Sequence, residues 1–191
     1  MTIGDPVPAL VAAATGRARL AGFTLSCDPD VGHLLAVLAA HLPTRARVLE
    51  LGTGTGVGTA WIVSGLLPRT DVTVTTVEND PRTAALAADG DWPAFVALRL
   101  GNALEVLAKA GTFDLIFADA QGGKWEGLDR TIAALGSHGM LIVDDMTPTR
   151  DWTTEQRANQ DHARRALLTS PLLAAVELRH VSGVILSTRR R

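Results

Sequence analysis

The chain has 191 residues, 47% apolar and 20% charged, with a formal net charge of −2. That length supports one sizeable core and is short for two. The charge balance excludes wholesale disorder and disfavours a nucleic-acid-binding module, whose footprint is usually basic. A lone cysteine, Cys27, excludes an intrachain disulfide and a thiolate zinc cluster, and it fits a reducing compartment. The opening MTIGDPVPAL lacks a basic region and carries Pro6 and Pro8, so no signal peptide is expected. No apolar run reaches membrane-spanning length, which predicts a soluble, cytoplasmic protein with no membrane partner.

The elements alternate along the chain. Asp28 caps a helix that Pro29 opens and that runs to about 42. Residues 47–51 form a short apolar run stopped by glycines, which reads as a buried strand. A helix follows over 57–67, closed by Pro68. The β-branched stretch 71–77 is a second strand. A helix over 81–88 has Asp80 as N-cap and Pro81 at its first position. Strand three covers 95–100, a short helix 103–110 and strand four 113–118. A helix over 127–135 leads to strand five at 140–143, and a long helix spans 155–168. Extended pieces at 174–179 and 183–188 end the chain. The alternation predicts a mostly parallel α/β sheet with helices on both faces. The break at His180-Val181-Ser182 is too short for a crossover helix, so the last two strands should form an antiparallel hairpin.

Between strand one and its helix lies Glu50-Leu51-Gly52-Thr53-Gly54-Thr55-Gly56-Val57-Gly58. Glycines there let the chain turn sharply and let a ligand approach the backbone. In a doubly wound sheet such a loop sits at the carboxyl ends of the strands, where ligands bind. A dinucleotide fingerprint fails on spacing, because its third glycine would fall on Val57 or Thr59. Glu78 ends strand two, where a carboxylate can accept hydrogen bonds from both hydroxyls of a ribose. Taken alone, Glu78 reads as a polar residue ending a strand; paired with the loop it points to a nucleoside.

The stretch Val48 to Gly58, together with Glu78 and the later strands, resembles a class I S-adenosylmethionine-dependent methyltransferase over nearly the whole chain. The resemblance implies a Rossmann-like seven-stranded sheet, mostly parallel with a C-terminal antiparallel hairpin. It implies one domain over 1–191, with a helical cap over 1–42 and a cofactor-binding core over 43–191. It further implies that Glu50, Gly52, Thr53, Gly54, Gly56 and Gly58 line the methionine side of S-adenosylmethionine. Glu78 and the adjacent Asn79 would hold the ribose, while Asn102 and Ala103 lie against the adenine. Many members carry Asp at the Asn102 position, and Asn can still accept from the adenine amino group.

Ser26-Cys27-Asp28-Pro29-Asp30-Val31-Gly32, Phe117-Ala118-Asp119-Ala120 and Val143-Asp144-Asp145-Met146 are similar to segments of the catechol and caffeoyl-CoA type O-methyltransferases. That similarity implies that Asp119, Asp144 and Asp145 bind Mg²⁺ or another divalent cation, for which hard oxygen ligands are suited. Asp119 would also lie beside the cofactor. Such a metal would orient an acceptor hydroxyl and lower its pKa. The plain alternative is three carboxylates that cap the elements after their strands or contact the cofactor. The family's catalytic lysine falls three residues after the strand-four acid. Here that position is Gly122, and the nearest lysine is Lys124, which would accept a proton or stabilise the developing anion if Gly122 and Gly123 bring it inward. The alternative is a solvated lysine at a helix start. Trp125 and Trp152 either wall an aromatic acceptor or pack their own loop.

The expected activity is in-line methyl transfer to a hydroxyl of a small, phenolic or catechol-like molecule. A homodimer paired through the N-terminal segment is part of that expectation. A non-catalytic adenosylmethionine-binding protein, or a nicotinamide-dependent oxidoreductase, are the rival readings.

Overall fold

β1 (Arg47–Leu51) is buried from Val48 onward and lies at the heart of a seven-stranded sheet of order β3-β2-β1-β4-β5-β7-β6 in the computed structural model. The structure describes residues 7–179 and 182–190. From β1 the chain steps outward through β2 (Thr73–Glu78) to β3 (Val96–Leu100), then returns to the other side of β1 as β4 (Phe113–Ala118) and β5 (Leu135–Val143). These five strands run parallel. The reversal of direction between β1 and β4 opens a crevice at their carboxyl ends. β7 (Val184–Arg189) inserts between β5 and β6 (Leu173–Leu178), antiparallel to both, as the hairpin expectation requires. Of the predicted break before β7, residues 180 and 181 lie outside the described residues, as do residues 1–6 of the predicted cap.

The period of two along the central strands feeds two cores. Val48 of β1 and Leu115 and Phe117 of β4 join one, together with Val11, Leu35 and Trp61. Leu49, Leu51, Ile116 and Ala118 join the other, with Leu128, Leu141 and Leu167. The first is covered by α1 (Ala9–Leu20), α2 (Pro29–Ala40) and α3 (Val57–Leu66). The second is covered by α5 (Ala103–Lys109), α7 (Leu128–Ala133) and α8 (Thr154–Thr169). α4 (Pro81–Ala88) follows β2. Asp28 and Asp80 cap α2 and α4 through their side chains, as their positions before Pro29 and Pro81 predict.

Several boundaries differ from the sequence pattern, each for a physical reason. β2 begins at Thr73 because Asp71 is committed to the Arg69 guanidinium and to the Arg45 N–H, 2.7 Å away. β5 begins five residues early, at Leu135, and carries an irregularity opposite Phe113–Leu115, with His138 in the left-handed region at φ 63°. α8 starts at Thr154 because Thr153 and Gln156 form a reciprocal capping box. α6 (Gln121–Lys124), a single turn broken at Gly122 and Gly123, interrupts what reads as loop.

Candidate functional site

The carboxyl ends of β1, β2 and β4 enclose a cleft of about 590 Å³. Its floor is the glycine loop, and its walls come from Glu78–Asp80, Gly101–Leu104 and Asp119–Gly122. Phe23, Leu25, Ser26 and Cys27, between α1 and α2, close one side. The Phe23 ring lies over Gly54, where an added Cβ would come within 3.2 Å of it.

Gly52 takes φ 100°, and a Cβ there would stand 2.7 Å from the Asp119 carbonyl oxygen. β1 and β4 approach that closely because the Asp119 N–H donates to the Leu51 carbonyl at 2.8 Å. Only glycine meets both the left-handed backbone and the lack of space. Glu50 is fully buried, and its register partner on β2 is Thr76. Thr76 Oγ1 donates to Glu50 Oε2 at 2.6 Å, Thr59 Oγ1 donates to the same oxygen, and Thr53 Oγ1 meets Thr76 Oγ1 at 2.5 Å. The other oxygen, Oε1, has no hydrogen-bond partner among the described residues. It packs where a Cβ on Gly58 would collide with it. Burial pushes the Glu50 carboxyl up to about 7 against the lowering effect of the two hydroxyls, and the charge of Glu78 adds to the rise.

Glu78 is held by main-chain donors on both sides. Gly54 N–H donates to its Oε2 at 2.9 Å, and the N–H groups of Asn79 and Asp80 donate to its Oε1 at 2.9 and 3.0 Å. Asn102 caps α5, its Oδ1 accepting from Leu104 N–H at 2.8 Å, with a second lone pair left on that oxygen. The resemblance-derived cofactor residues Glu50, Gly52, Thr53, Gly54, Gly58, Glu78, Asn79, Asn102, Ala103 and Asp119 all line the cleft. Gly56 does not; it sits behind the loop as the left-handed N-cap of α3, against Trp92.

The four residues with expected chemical roles divide. Asp119 lines the cleft; Lys124, Asp144 and Asp145 do not, Lys124 and Asp144 being buried and Asp145 half exposed. Gly123, at φ 95° and packed against Leu51 and Thr131, turns the chain so that Lys124 points inward. The Lys124 side chain is 5% exposed, with Nζ donating to the Asp144 carbonyl at 3.1 Å and 3.8 Å from Asp145 Oδ2. Asp144 Oδ1 accepts from Ser182 Oγ at 2.5 Å and from Asp145 N–H at 2.7 Å. The second bond holds Asp145 in the left-handed region at φ 55°, which a short carboxylate side chain tolerates. Burial first and then the Asp144 charge hold the Asp119 carboxyl well above its ordinary range, opposed by Lys124. Asp144 is also raised by burial, opposed by its bonds from Ser182 and Asp145. Burial likewise pushes the Cys27 thiol up, away from thiolate character.

Trp125 and Trp152 do not line the cleft; they stack edge to face at 5.6 Å, and Trp125 Nε1 donates to Gln160 Oε1 at 2.5 Å. Sequence reasoning missed Thr59, Thr76, Gln160 and Ser182. The signal for Thr76 was a threonine on a buried strand, in register with a buried acid; Ser182 carried none.

The donor set suits a nucleoside with a cationic end: a backbone cradle a Cβ would fill, a buried carboxylate oxygen with no hydrogen-bond partner among the described residues, and an anchored carboxylate one strand away. A divalent cation does not fit. Among the described residues no three His, Cys, Asp or Glu side chains converge as metal ligands would, and Lys124 already stands among the acids. No described helix is long and apolar enough to cross a membrane.

Comparison with known proteins agrees with this geometry. The methyltransferase-domain family matches residues 49–146. A catechol O-methyltransferase of Niastella koreensis is 33% identical over 152 residues, covering 75% of this chain and 67% of the relative. A Mycolicibacterium vanbaalenii protein, provisionally named an O-methyltransferase, is 40% identical over 119 residues, covering 59% of this chain. The match spans only about half, 51%, of that relative's length. A Bacillus cereus O-methyltransferase solved with S-adenosylhomocysteine shares the fold at a TM-score of 0.85 and 20% identity, covering 98% of this chain and 94% of that one. A Streptomyces achromogenes O-methyltransferase of tomaymycin synthesis, solved with S-adenosylmethionine, does so at 0.83 and 21%, covering 100% and 93%. The fold and the glycine-loop site define a class I Rossmann-like methyltransferase domain. The chain belongs to the methyltransferase-domain family.

Proposed function

We propose that this chain transfers a methyl group from S-adenosylmethionine to a hydroxyl of a small phenolic or catechol-like molecule. The observation that carries the reading is the cleft itself, where the Gly52 cradle and the anchored Glu78 carboxylate face one space across adjacent strands. The acceptor class is supported by the relative named a catechol O-methyltransferase. When bound, S-adenosylmethionine supplies an electrophilic methyl group whose C–S bond breaks with its electron pair returning to sulfur, leaving S-adenosylhomocysteine. Glu78 accepts from the ribose hydroxyls and is pre-oriented by three main-chain donors. Glu50 adds negative charge at the cationic end of the cleft. Asp119 takes the proton of the acceptor hydroxyl as the oxygen's electron pair forms the new C–O bond. Burial and the Asp144 charge raise its carboxyl, which makes the carboxylate a stronger proton acceptor. Lys124 offsets the charge of the neighbouring acids, and much of the remaining barrier reduction comes from positioning.

The cap and core read as one domain because Val11, Ala14 and Leu35 of the N-terminal helices share a core with Val48 and Phe117. Exposed Leu20 at the end of α1 supports a homodimer contact on the N-terminal segment, and the lone buried Cys27 supports a reducing, cytoplasmic setting.

Calorimetric titration with S-adenosylhomocysteine tests the reading. Saturable binding is expected, with Glu78→Ala weakening it by about 10- to 100-fold through lost charge-assisted hydrogen bonds. Asp119→Asn should retain binding and lose methyl transfer to catechol. Absence of uptake by the unaltered protein, or an unchanged affinity in Glu78→Ala, overturns it.

A further inference from the structure

Lys124 is one of only two lysines in the chain, and its side chain is almost wholly buried. A buried ammonium is costly unless the surroundings supply opposite charge and acceptors. Here they do. Nζ donates to the Asp144 carbonyl at 3.1 Å, lies 3.8 Å from Asp145 Oδ2, and sits within electrostatic reach of both Asp119 and Asp144. Gly122 and Gly123 supply the backbone turn that carries it there. Of the acids, Asp144 is committed as well, its Oδ1 accepting from Ser182 Oγ and from Asp145 N–H, while Gln160 Nε2 holds the Asp145 backbone carbonyl at 2.6 Å. A magnesium ion needs near-octahedral oxygen ligation at about 2.0–2.1 Å. It would have to enter this cluster against the repulsion of an ammonium already in place.

We propose that the Lys124 ammonium is the resident cation around which Asp119, Asp144 and Asp145 are arranged, their carboxylates closing on a divalent ion only when that ammonium is removed, so that the site works without a metal. Lys124 acts as a positioning residue. It ties the end of β5 to the turn after β4 and holds the electrostatic setting of the one acid that reaches the cleft, Asp119. It is not among the residues that line the cleft. This deepens the methyl-transfer reading, but its metal-binding arms do not depend on turnover.

Trp125 provides a readout, since its ring centre is 5.6 Å from Lys124 Nζ and would sensitise a lanthanide bound in the ammonium's place. Chelator-stripped full-length protein is titrated with Mg²⁺ by calorimetry and with Tb³⁺ by tryptophan-sensitised emission. The unaltered chain and Lys124→Arg should show no saturable uptake. S-adenosylhomocysteine affinity should be the same in Mg²⁺ and in chelator. Lys124→Met, which keeps length and removes charge, should gain saturable Tb³⁺ emission that is lost again in Lys124→Met/Asp144→Asn. The proposal is overturned if the unaltered protein binds Mg²⁺ or Tb³⁺ saturably and Asp144→Asn abolishes that binding. It is equally overturned if Lys124→Met, folded by circular dichroism and still binding S-adenosylhomocysteine, takes up no cation. Should Lys124→Met not fold, the unaltered protein and Lys124→Arg decide alone. Failure of the unaltered protein to bind S-adenosylhomocysteine would sink the methyltransferase reading and leave the metal arms standing.

Discussion

The two halves of the cleft are built by different means. Over β1 and β2 the working groups are main-chain N–H donors and two carboxylates, and nearly every contact that sets them is made within the loop or to the next strand. Over β4 and β5 the working groups are charged side chains, set by partners far away in sequence: Ser182 for Asp144, and Gln160 for the Asp145 backbone. The first half is a backbone shape that a short motif can encode. The second is a charge balance that exists only when several elements are packed together. In the first, loss of one contact weakens a ligand; in the second, it exposes a neighbour's uncompensated charge.

Gly52 is where the halves touch, so it offers the hardest test of their separation. Gly52→Ala should cost about 4 kcal/mol of stability, combining left-handed strain with a clash against the Asp119 carbonyl. Urea denaturation would measure it, and S-adenosylhomocysteine binding should fall with it. A stable variant with native affinity would mean that the glycine turn is not what holds the two halves in register.

Glu50 tests whether the local half also stores a buried charge. Its carboxyl is raised from an ordinary value of 4.5 to about 7, so the folded state holds the proton more tightly than the unfolded chain. The contribution to stability is therefore complete below the ordinary value and is lost as pH rises toward the folded one. Relative to Glu50→Gln, the unaltered protein should lose about 3 kcal/mol between these two pH values, read from denaturation at each. Parallel pH profiles for the two proteins would refute it.

Asn102 gives the smallest effect and the most local one. Asn102→Ala removes the cap on Leu104 N–H and should cost about 1 kcal/mol, seen as a lower melting temperature. Asn102→Asp should restore it. A loss well beyond that figure would place Asn102 in a wider network than the first half otherwise shows.

The same division explains what could be read in advance. The strand ends carrying Glu50, Glu78 and Asp119 were legible because short apolar runs, glycine stops and terminal carboxylates are neighbours in the chain. The inward turn at Gly122-Gly123 could be raised only as one of two alternatives, and the fold selects it. The hydroxyls of Thr59 and Thr76 were not legible, because their meeting with Glu50 depends on the β1–β2 register and on the pitch of α3. The edge-to-face pairing of Trp125 with Trp152 settled another open choice, in favour of loop packing.

From its residues alone this protein was committed to alternating strands and helices, a glycine turn after the first strand and acids at the strand ends, since each follows from interactions among near neighbours. Whether Lys124 would face water or the acids, and whether Asp144 would meet Ser182, only the folded chain decided. Those outcomes rest on the insertion of β7 between β5 and β6, which brings Ser182 to Asp144, and on the turn at Gly122-Gly123, which buries Lys124 against the Asp144 carbonyl, where a low local dielectric strengthens each charge.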